Sequence, residues 1–372
     1  MRIGPIELSA PFCQAGLAGY SDRAMRLVAR RRGCPYAVTE ALLDTIMLNG
    51  GQGLKNSIDI NDEDHPTAGQ VIGSEPETVA PAAAILHNAG YDVIDLNFAC
   101  PVKKIKNKAR GGHMLRDQPR GLGILRAVRD RLPNATLTVS LRRTFSDNES
   151  HDTLYGLLDE AWNLGYAAAR VHARSVEAKY NGRADWAALA EIKRQYPTRT
   201  ILGSGDVFTA EDAVRMKRET GVDIVWIARG AIGNPWIFRD AAKLFFVGAT
   251  PASPASVNTA DRATQASPLQ QTLQPPTVAE QRQALREHWD ESLKIHGEQT
   301  TGRRMRKQGI KYARFHPQAD WVKKEFVNVA SIPDWARVLD KWYAADGPGV
   351  WPAPDAADEV NANPADAGCG IE

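Results

Sequence analysis

The chain lacks any apolar run near the roughly 20 residues needed to cross a bilayer. Its start, Met1-Arg-Ile-Gly-Pro-Ile-Glu-Leu-Ser-Ala10, has no basic segment followed by an apolar stretch. A membrane protein is a poor reading, and a cytoplasmic location is expected. Cysteine is scarce: Cys13, Cys34, Cys100 and Cys369 form no CxxC pair, and the eight histidines include no HExxH. These gaps count against a disulfide scaffold and against a metal site. No GxGxxG follows the first strand candidate, which disfavours an open dinucleotide-binding sheet. A surplus of one charge is missing too. Lys and Arg number 46 against 44 Asp and Glu, a net charge of +2, which would disfavour a nucleic-acid partner if the charge were evenly spread.

What is present is a globular composition, 43% hydrophobic and 24% charged, over 372 residues. That length allows two or three domains of about 100–200 residues each. From Pro11 to about Asp240, short β-branched or apolar runs alternate with helical patterns. Strands are expected near Ala10–Cys13, Tyr36–Thr39, Gly69–Ile72, Asp92–Asn97, Thr136–Leu141, Ala168–His172, Thr200–Gly203 and Asp223–Ala228. Helical stretches such as Asp22–Arg32, Pro76–Ala89, Trp186–Tyr196 and Ala210–Thr220 fall between them. The alternation predicts an α/β fold, a (β/α)8 TIM barrel over residues 1–245. A Pro/Ala/Ser-rich linker is expected over 246–277, a small α-helical domain over 278–345 and an acidic disordered tail over 346–372. The tail holds six acids and no Lys or Arg; without it the balance would be +8, so near-neutrality is no argument against a polyanion.

Side chains of a barrel strand alternate between the interior and the helices, and the C-terminal strand ends build the active site. One alternating set is polar: Gln70, Asp95, Asn97, Ser140, Arg142, His172, Arg174, Ser204, Asp206 and Arg229. Its counterpart (Ile94, Leu96, Val139, Leu141, Val171, Ile201, Trp226) is apolar and expected to face the helices. So many inward polar groups suggest a ligand pocket, or else a water-filled, ion-paired barrel mouth. Gly203-Ser-Gly-Asp206 and Ala228-Arg-Gly-Ala-Ile-Gly233 occupy the ends of the last two strands, the customary phosphate site of such barrels. Cys100 lies just past a strand end, where a thiol could act as acid or nucleophile.

Two basic clusters stand out. Lys103, Lys104, Lys106, Lys108 and Arg110 follow Cys100, while Arg303, Arg304, Arg306, Lys307, Lys311, Arg314, Lys323 and Lys324 dominate the helical segment. Either is a solvated face or a contact for a polyanion reaching into the pocket. Trp289, Tyr312, Phe315 and Trp321 lie close by, as helix core or as stacking surfaces.

Several ordered motifs resemble those of the tRNA-dihydrouridine synthase family: Leu17-Ala-Gly-Tyr-Ser-Asp-Arg-Ala-Met-Arg26, Gly69-Gln-Val-Ile-Gly73, Asp95-Leu-Asn-Phe-Ala-Cys-Pro101, Val171-His-Ala-Arg174, Gly203-Ser-Gly-Asp-Val207 and Ala228-Arg-Gly-Ala-Ile-Gly-Asn-Pro-Trp236. The resemblance covers residues 1–345 apart from the linker. It implies an FMN barrel joined to a helical RNA-binding domain, tRNA as partner and NADPH as reductant. The implied reaction is reduction of uridine to 5,6-dihydrouridine, by hydride from the flavin to uracil C6 and a proton from Cys100 to C5. The uracil would leave its stack to enter the pocket.

By motif position the resemblance implies flavin contacts for Gln70, Asn97, Ser140, His172, Ser204, Gly205, Asp206, Arg229 and Gly230. It implies substrate contacts for Asn97, Arg142, Arg174, Lys103, Lys104, Arg306 and Lys307. A monomer is expected. The chain departs from the family's Lys-x-Arg at Ser140-Leu-Arg142, losing a cation set against the flavin. Ser204 stands where Asn is usual, and the first loop is longer than usual. A flavin barrel acting on a small molecule and a non-catalytic RNA-binding relative are the alternatives.

Overall fold

The computed structural model describes residues 1–51, 54, 57–101, 110–247 and 273–353. Lys103, Lys104, most of the expected linker and residues 354–372 lie outside the described residues.

A hairpin of β1 (Arg2–Ile3) and β2 (Ile6–Glu7) precedes eight parallel strands that close a barrel. The strands are β3 (Phe12–Gln14), β4 (Ala37–Leu43), β5 (Thr67–Ile72), β6 (Val93–Phe98), β7 (Leu137–Arg142), β8 (Ala168–His172), β9 (Ile201–Ser204) and β10 (Ile224–Ile227). β10 pairs with both β9 and β3, which completes the ring. The connecting helices include α1 (Arg23–Arg30), α2 (Asp44–Asn49), α3 (Pro76–Asn88), α4 (Gln118–Arg131), α5 (Asp152–Asn163), α6 (Trp186–Gln195), α7 (Ala210–Thr220) and α8 (Ile237–Val247). This is the TIM barrel expected from the alternation. One strand is longer than expected: β4 runs on to Leu43 through a register shift between Val38 and Ala41. At that bulge the Thr39 hydroxyl accepts the Gln70 N–H at 2.9 Å, so the ladder's missing acceptor is supplied by a side chain.

Two apolar layers follow from the alternation. Ile94, Leu96, Val139, Leu141, Val171 and Ile201 face the helices in the large outer cluster. Inside, Cys13, Val38, Ala68, Val93, Ala168, Leu202 and Ile224 fill the barrel floor, and Ile3 and Leu8 close its lower end. Trp226 corrects the sequence reading: it belongs to this inner cluster, while Val225 and Ile227 face outward. An aromatic residue in an apolar run carries no marker of which face it takes, and here the indole forms part of the cavity wall.

After the barrel come α9 (Val278–Tyr312), kinked at Gly297, then α10 (Ala319–Val327) and α11 (Ile332–Trp342). Capping boxes start α9 (Thr277 with Glu280) and α11 (Ser331 with Asp334). Trp236 joins this region to the barrel, its ring 5.9 Å from Tyr312 and 5.6 Å from Phe315. Gly233, at φ 63°, lies against α9 so closely that a Cβ would fall 2.6 Å from the Lys311 carbonyl carbon. Arg32–Glu287 (2.8 Å) and His296–Asp22 (2.8 Å) bridge the same junction. Residues 346–353, assigned by composition to the tail, are docked: the Val278 N–H donates to the Gly347 carbonyl and the Val350 N–H to that of Phe315. No helix among the described residues is long and apolar enough to cross a membrane.

Candidate functional site

The site grows from a buried carboxylate. Asp95, inward on β6, accepts from the Thr138 hydroxyl (2.6 Å), the Ser140 hydroxyl (2.7 Å) and Gln70 Nε2 (2.7 Å). Burial raises its pKa, while the Thr138 bond, the charge of Arg170 and the other two donors pull it back. Gln70 Oε1 accepts from Asn97 Nδ2 at 2.7 Å, and Asn97 Oδ1 accepts the backbone N–H groups of Ala99 and Cys100, both at 3.0 Å. A backbone N–H can only donate, so the Asn97 amide is oriented from that end and the Gln70 amide follows. The relay runs from the barrel interior to the thiol-bearing turn.

Cys100 is held from its other side as well. Arg142, 2% exposed, donates from Nε to the Ala99 carbonyl (2.8 Å) and from Nη1 to those of Ser175 (2.8 Å) and Lys179 (2.6 Å). The Gly112 N–H donates to the Cys100 carbonyl at 3.0 Å. Burial lowers the Arg142 guanidinium to about 10.

Across the cavity, His172 Nδ1 accepts the Arg174 N–H at 3.2 Å, which leaves Nε2 to carry the ring proton. Burial, reinforced by the guanidinium groups of Arg142, Arg170, Arg174 and Arg229, holds its pKa well below the usual histidine range. His172 is therefore a neutral donor.

The turn after β9 adopts positive φ at Gly205 (127°) and Asp206 (53°). A Cβ on Gly205 would lie 2.7 Å from that of Ala184, so glycine is required there. The Asp206 carboxylate pairs with Arg174 (2.7 and 2.8 Å) and Arg229 (3.3 Å) and accepts the Ala184 N–H (2.7 Å). Its part is to fix the turn and aim Arg229.

These groups surround a solvent-open cavity at the C-terminal mouth of the barrel. Gln70, Asn97, Cys100, Arg142, His172, Ser204, Gly205, Asp206 and Arg229 all line it, as the strand-end reading expects. Ser140 lies behind the wall with its hydroxyl on Asp95; Arg174 clamps Asp206; Gly230 packs under the turn, where a Cβ would sit 2.5 Å from the Val207 carbonyl oxygen. Arg306 is exposed on α9, and Lys307 donates to the Gly19 carbonyl with its Nζ 4.4 Å from the Tyr20 ring. Arg170 and Tyr180 line the cavity although neither belongs to the polar strand-end set, and Trp226 lines it although its expected face was outward. For Arg170 the signal was present: an arginine mid-strand, two residues before His172 and on the same face.

The wall suits a phosphorylated flavin. Three arginines line it with one carboxylate, Asp206, and Ser204 Oγ and Arg170 Nε are buried without hydrogen-bond partners. Among the described residues, no group of three or more His, Cys, Asp or Glu is arranged to hold a metal ion.

In the helical region, Trp289 stacks on Trp335 at 4.7 Å, and Tyr312 and Phe315 are core. Trp321 stands exposed beside Lys324, and Arg303, Arg306 and Lys323 are exposed too.

The family model described as "Dihydrouridine synthase (Dus)" matches residues 13–341. A tRNA-dihydrouridine synthase B from Xanthomonas axonopodis pv. citri (strain 306) is 31% identical over 347 residues, covering 92% of this chain and 95% of that protein. The Pseudomonas aeruginosa protein of the same name is 34% identical over 241 residues, 64% of this chain and 71% of its own. A probable tRNA-dihydrouridine synthase of Mycobacterium tuberculosis is 28% identical over 371 residues, 96% and 87% of the two chains. Two solved structures share the barrel fold. Histamine dehydrogenase from Rhizobium sp. 4-9 has a TM-score of 0.50 at 13% identity, covering 66% of this chain and 48% of its own. A 2-naphthoyl-CoA reductase has a TM-score of 0.52 at 11% identity, covering 65% and 51%. With a relative above 30% identity aligned almost end to end and the family's pattern running from β3 into α11, the chain belongs to the dihydrouridine synthase family.

Proposed function

We propose that the protein reduces uridine in tRNA to 5,6-dihydrouridine, with FMN as cofactor, NADPH as reductant and Cys100 as the acid. The observation that carries this reading is the placement of Cys100, 8% exposed on the wall of an arginine-lined cavity and fixed by the Asp95–Gln70–Asn97 relay. The relatives' names support the substrate class.

Gln70, Asn97 and His172 would hold the flavin ring, and Ser204, Gly205, Arg229 and Gly230 its ribityl chain and phosphate, with Asp206 fixing the turn and aiming Arg229. When bound, the flavin supplies the hydride that adds to uracil C6. The remaining work falls to the protein. The Cys100 thiol delivers a proton to C5, so one hydride and one proton saturate the C5–C6 double bond. Arg142 and Asn97 keep the thiol in place from opposite sides of its turn. The open cavity admits a base only after it leaves the tRNA stack. Exposed Arg303, Arg306, Lys323 and Lys324 on the helical region, residues 278–345, would hold phosphates.

Nucleoside mass spectrometry of tRNA from a deletion strain tests the reading. Dihydrouridine should vanish from at least one position and return with the wild-type gene. Unchanged dihydrouridine at every position, in a strain without a second family member, would overturn it.

A further inference from the structure

Arg170 stands apart from the other cations of the cavity. It points inward from the middle of β8, opposite Ser140 in register, with its guanidinium 4.5 Å from the Trp226 ring centroid. Among the described residues its side chain makes no hydrogen bond or ion pair, and its Nε is buried without a partner. Its neighbours are engaged otherwise: Arg142 with three carbonyls, Arg174 and Arg229 with Asp206. Asp95 on the next strand but one is close enough to be felt, yet Thr138, Ser140 and Gln70 fill its oxygens. Burial accordingly lowers the Arg170 pKa. A cation inside a barrel without a counter-ion is costly unless the cavity brings one.

We propose that Arg170 is the counter-charge for the flavin ring system, favouring its reduced form over its oxidised form. The inference rests on the functional reading above. Adding a hydride to a neutral ring system creates one negative charge, and a fixed guanidinium in a site of low dielectric stabilises that charge selectively. Ser140, turned onto Asp95, offers no charge, so Arg170 is the cation this wall presents from β7 and β8 besides the carbonyl-bound Arg142.

The test is the midpoint potential of FMN bound to purified protein, with the dissociation constant of oxidised FMN measured beside it. In Arg170→Met the preference for reduced over oxidised FMN should fall about tenfold or more, each tenfold being about 30 mV more negative for two electrons. Arg170→Lys should stay near wild type. Arg170→Met with Ser140→Lys should recover much of the shift, because the new ammonium enters from the register partner. An unchanged potential in Arg170→Met would overturn the proposal. Should Arg170→Met and Arg170→Gln lose FMN altogether while their apoproteins melt as wild type, retention by Arg170→Lys supports the counter-charge and loss by Arg170→Lys overturns it. A wild-type protein that binds no FMN would instead remove the functional reading itself.

Discussion

Replacing Asn97 by alanine should separate the positioning of Cys100 from the rest of the site. The side chain makes three hydrogen bonds, at 2.7, 3.0 and 3.0 Å, and its loss removes the Asn97 bond from Gln70 Oε1 and from the N–H groups of Ala99 and Cys100. Each buried orphan costs about 1–3 kcal/mol, and water entering from the open cavity relieves part of that, so about 2–4 kcal/mol of stability should be lost. The kinetic effect should be larger. A displacement of about 1 Å can cost roughly a hundredfold in rate, and the turn would lose its Asn97 anchor while keeping the Arg142 and Gly112 bonds. Single-turnover dihydrouridine formation on tRNA should therefore fall about a hundredfold. Flavin reduction by NADPH, which needs no thiol, should change far less. Asn97→Asp keeps the acceptor for both N–H groups but loses the donor to Gln70, so it should fall between wild type and alanine. Wild-type turnover by Asn97→Ala would refute the relay as the device that sets the thiol.

Three further outcomes are expected. His288, 2% exposed, has its pKa lowered to about 4 by burial against 6.5 when unfolded. The unfolded chain alone takes up this proton between those values, so the contribution is present above about 6.5 and lost as pH falls towards 4, by roughly 3 kcal/mol. Urea unfolding at pH 7 and pH 4.5 should show this slope in wild type and a shallower one in His288→Phe. Arg306→Ala should weaken tRNA binding and reduce the slope of log K against log salt by about one, whereas Lys307→Met should lower the melting temperature and leave that slope intact, since Lys307 anchors Gly19. Arg174→Met should loosen FMN and cost about 1–3 kcal/mol, because Asp206 loses its two-pronged partner while remaining a quarter exposed.

The barrel was legible because each strand carries its period of two into residues of clear polarity: Ile94, Leu96 and Phe98 on one face of β6, Asp95 and Asn97 on the other. The cavity followed from the same parity, which brings Gln70, Asn97, His172 and Ser204 to one wall. Parity failed at Trp226, where aromatic character suits either face. It also could not say which inward cations meet a ligand. Arg142 and Arg174 look equivalent to Arg170 as letters, yet the first two hold carbonyls and a carboxylate. Those partners lie on loops, whose paths depend on tertiary packing rather than local pattern. Lys307 repeats the lesson on α9: a basic cluster reads as one surface, while its member nearest the barrel ties down the first loop.

The most direct test incubates purified protein, FMN and NADPH with unmodified tRNA and compares wild type with Cys100→Ala. Wild type should add one H2 to a defined uridine, seen by mass spectrometry of nuclease fragments. Cys100→Ala should bind FMN and oxidise NADPH yet form product at least about a hundredfold more slowly. Equal product from the two proteins would contradict the assignment of the acid, and no product from either would contradict the proposed function.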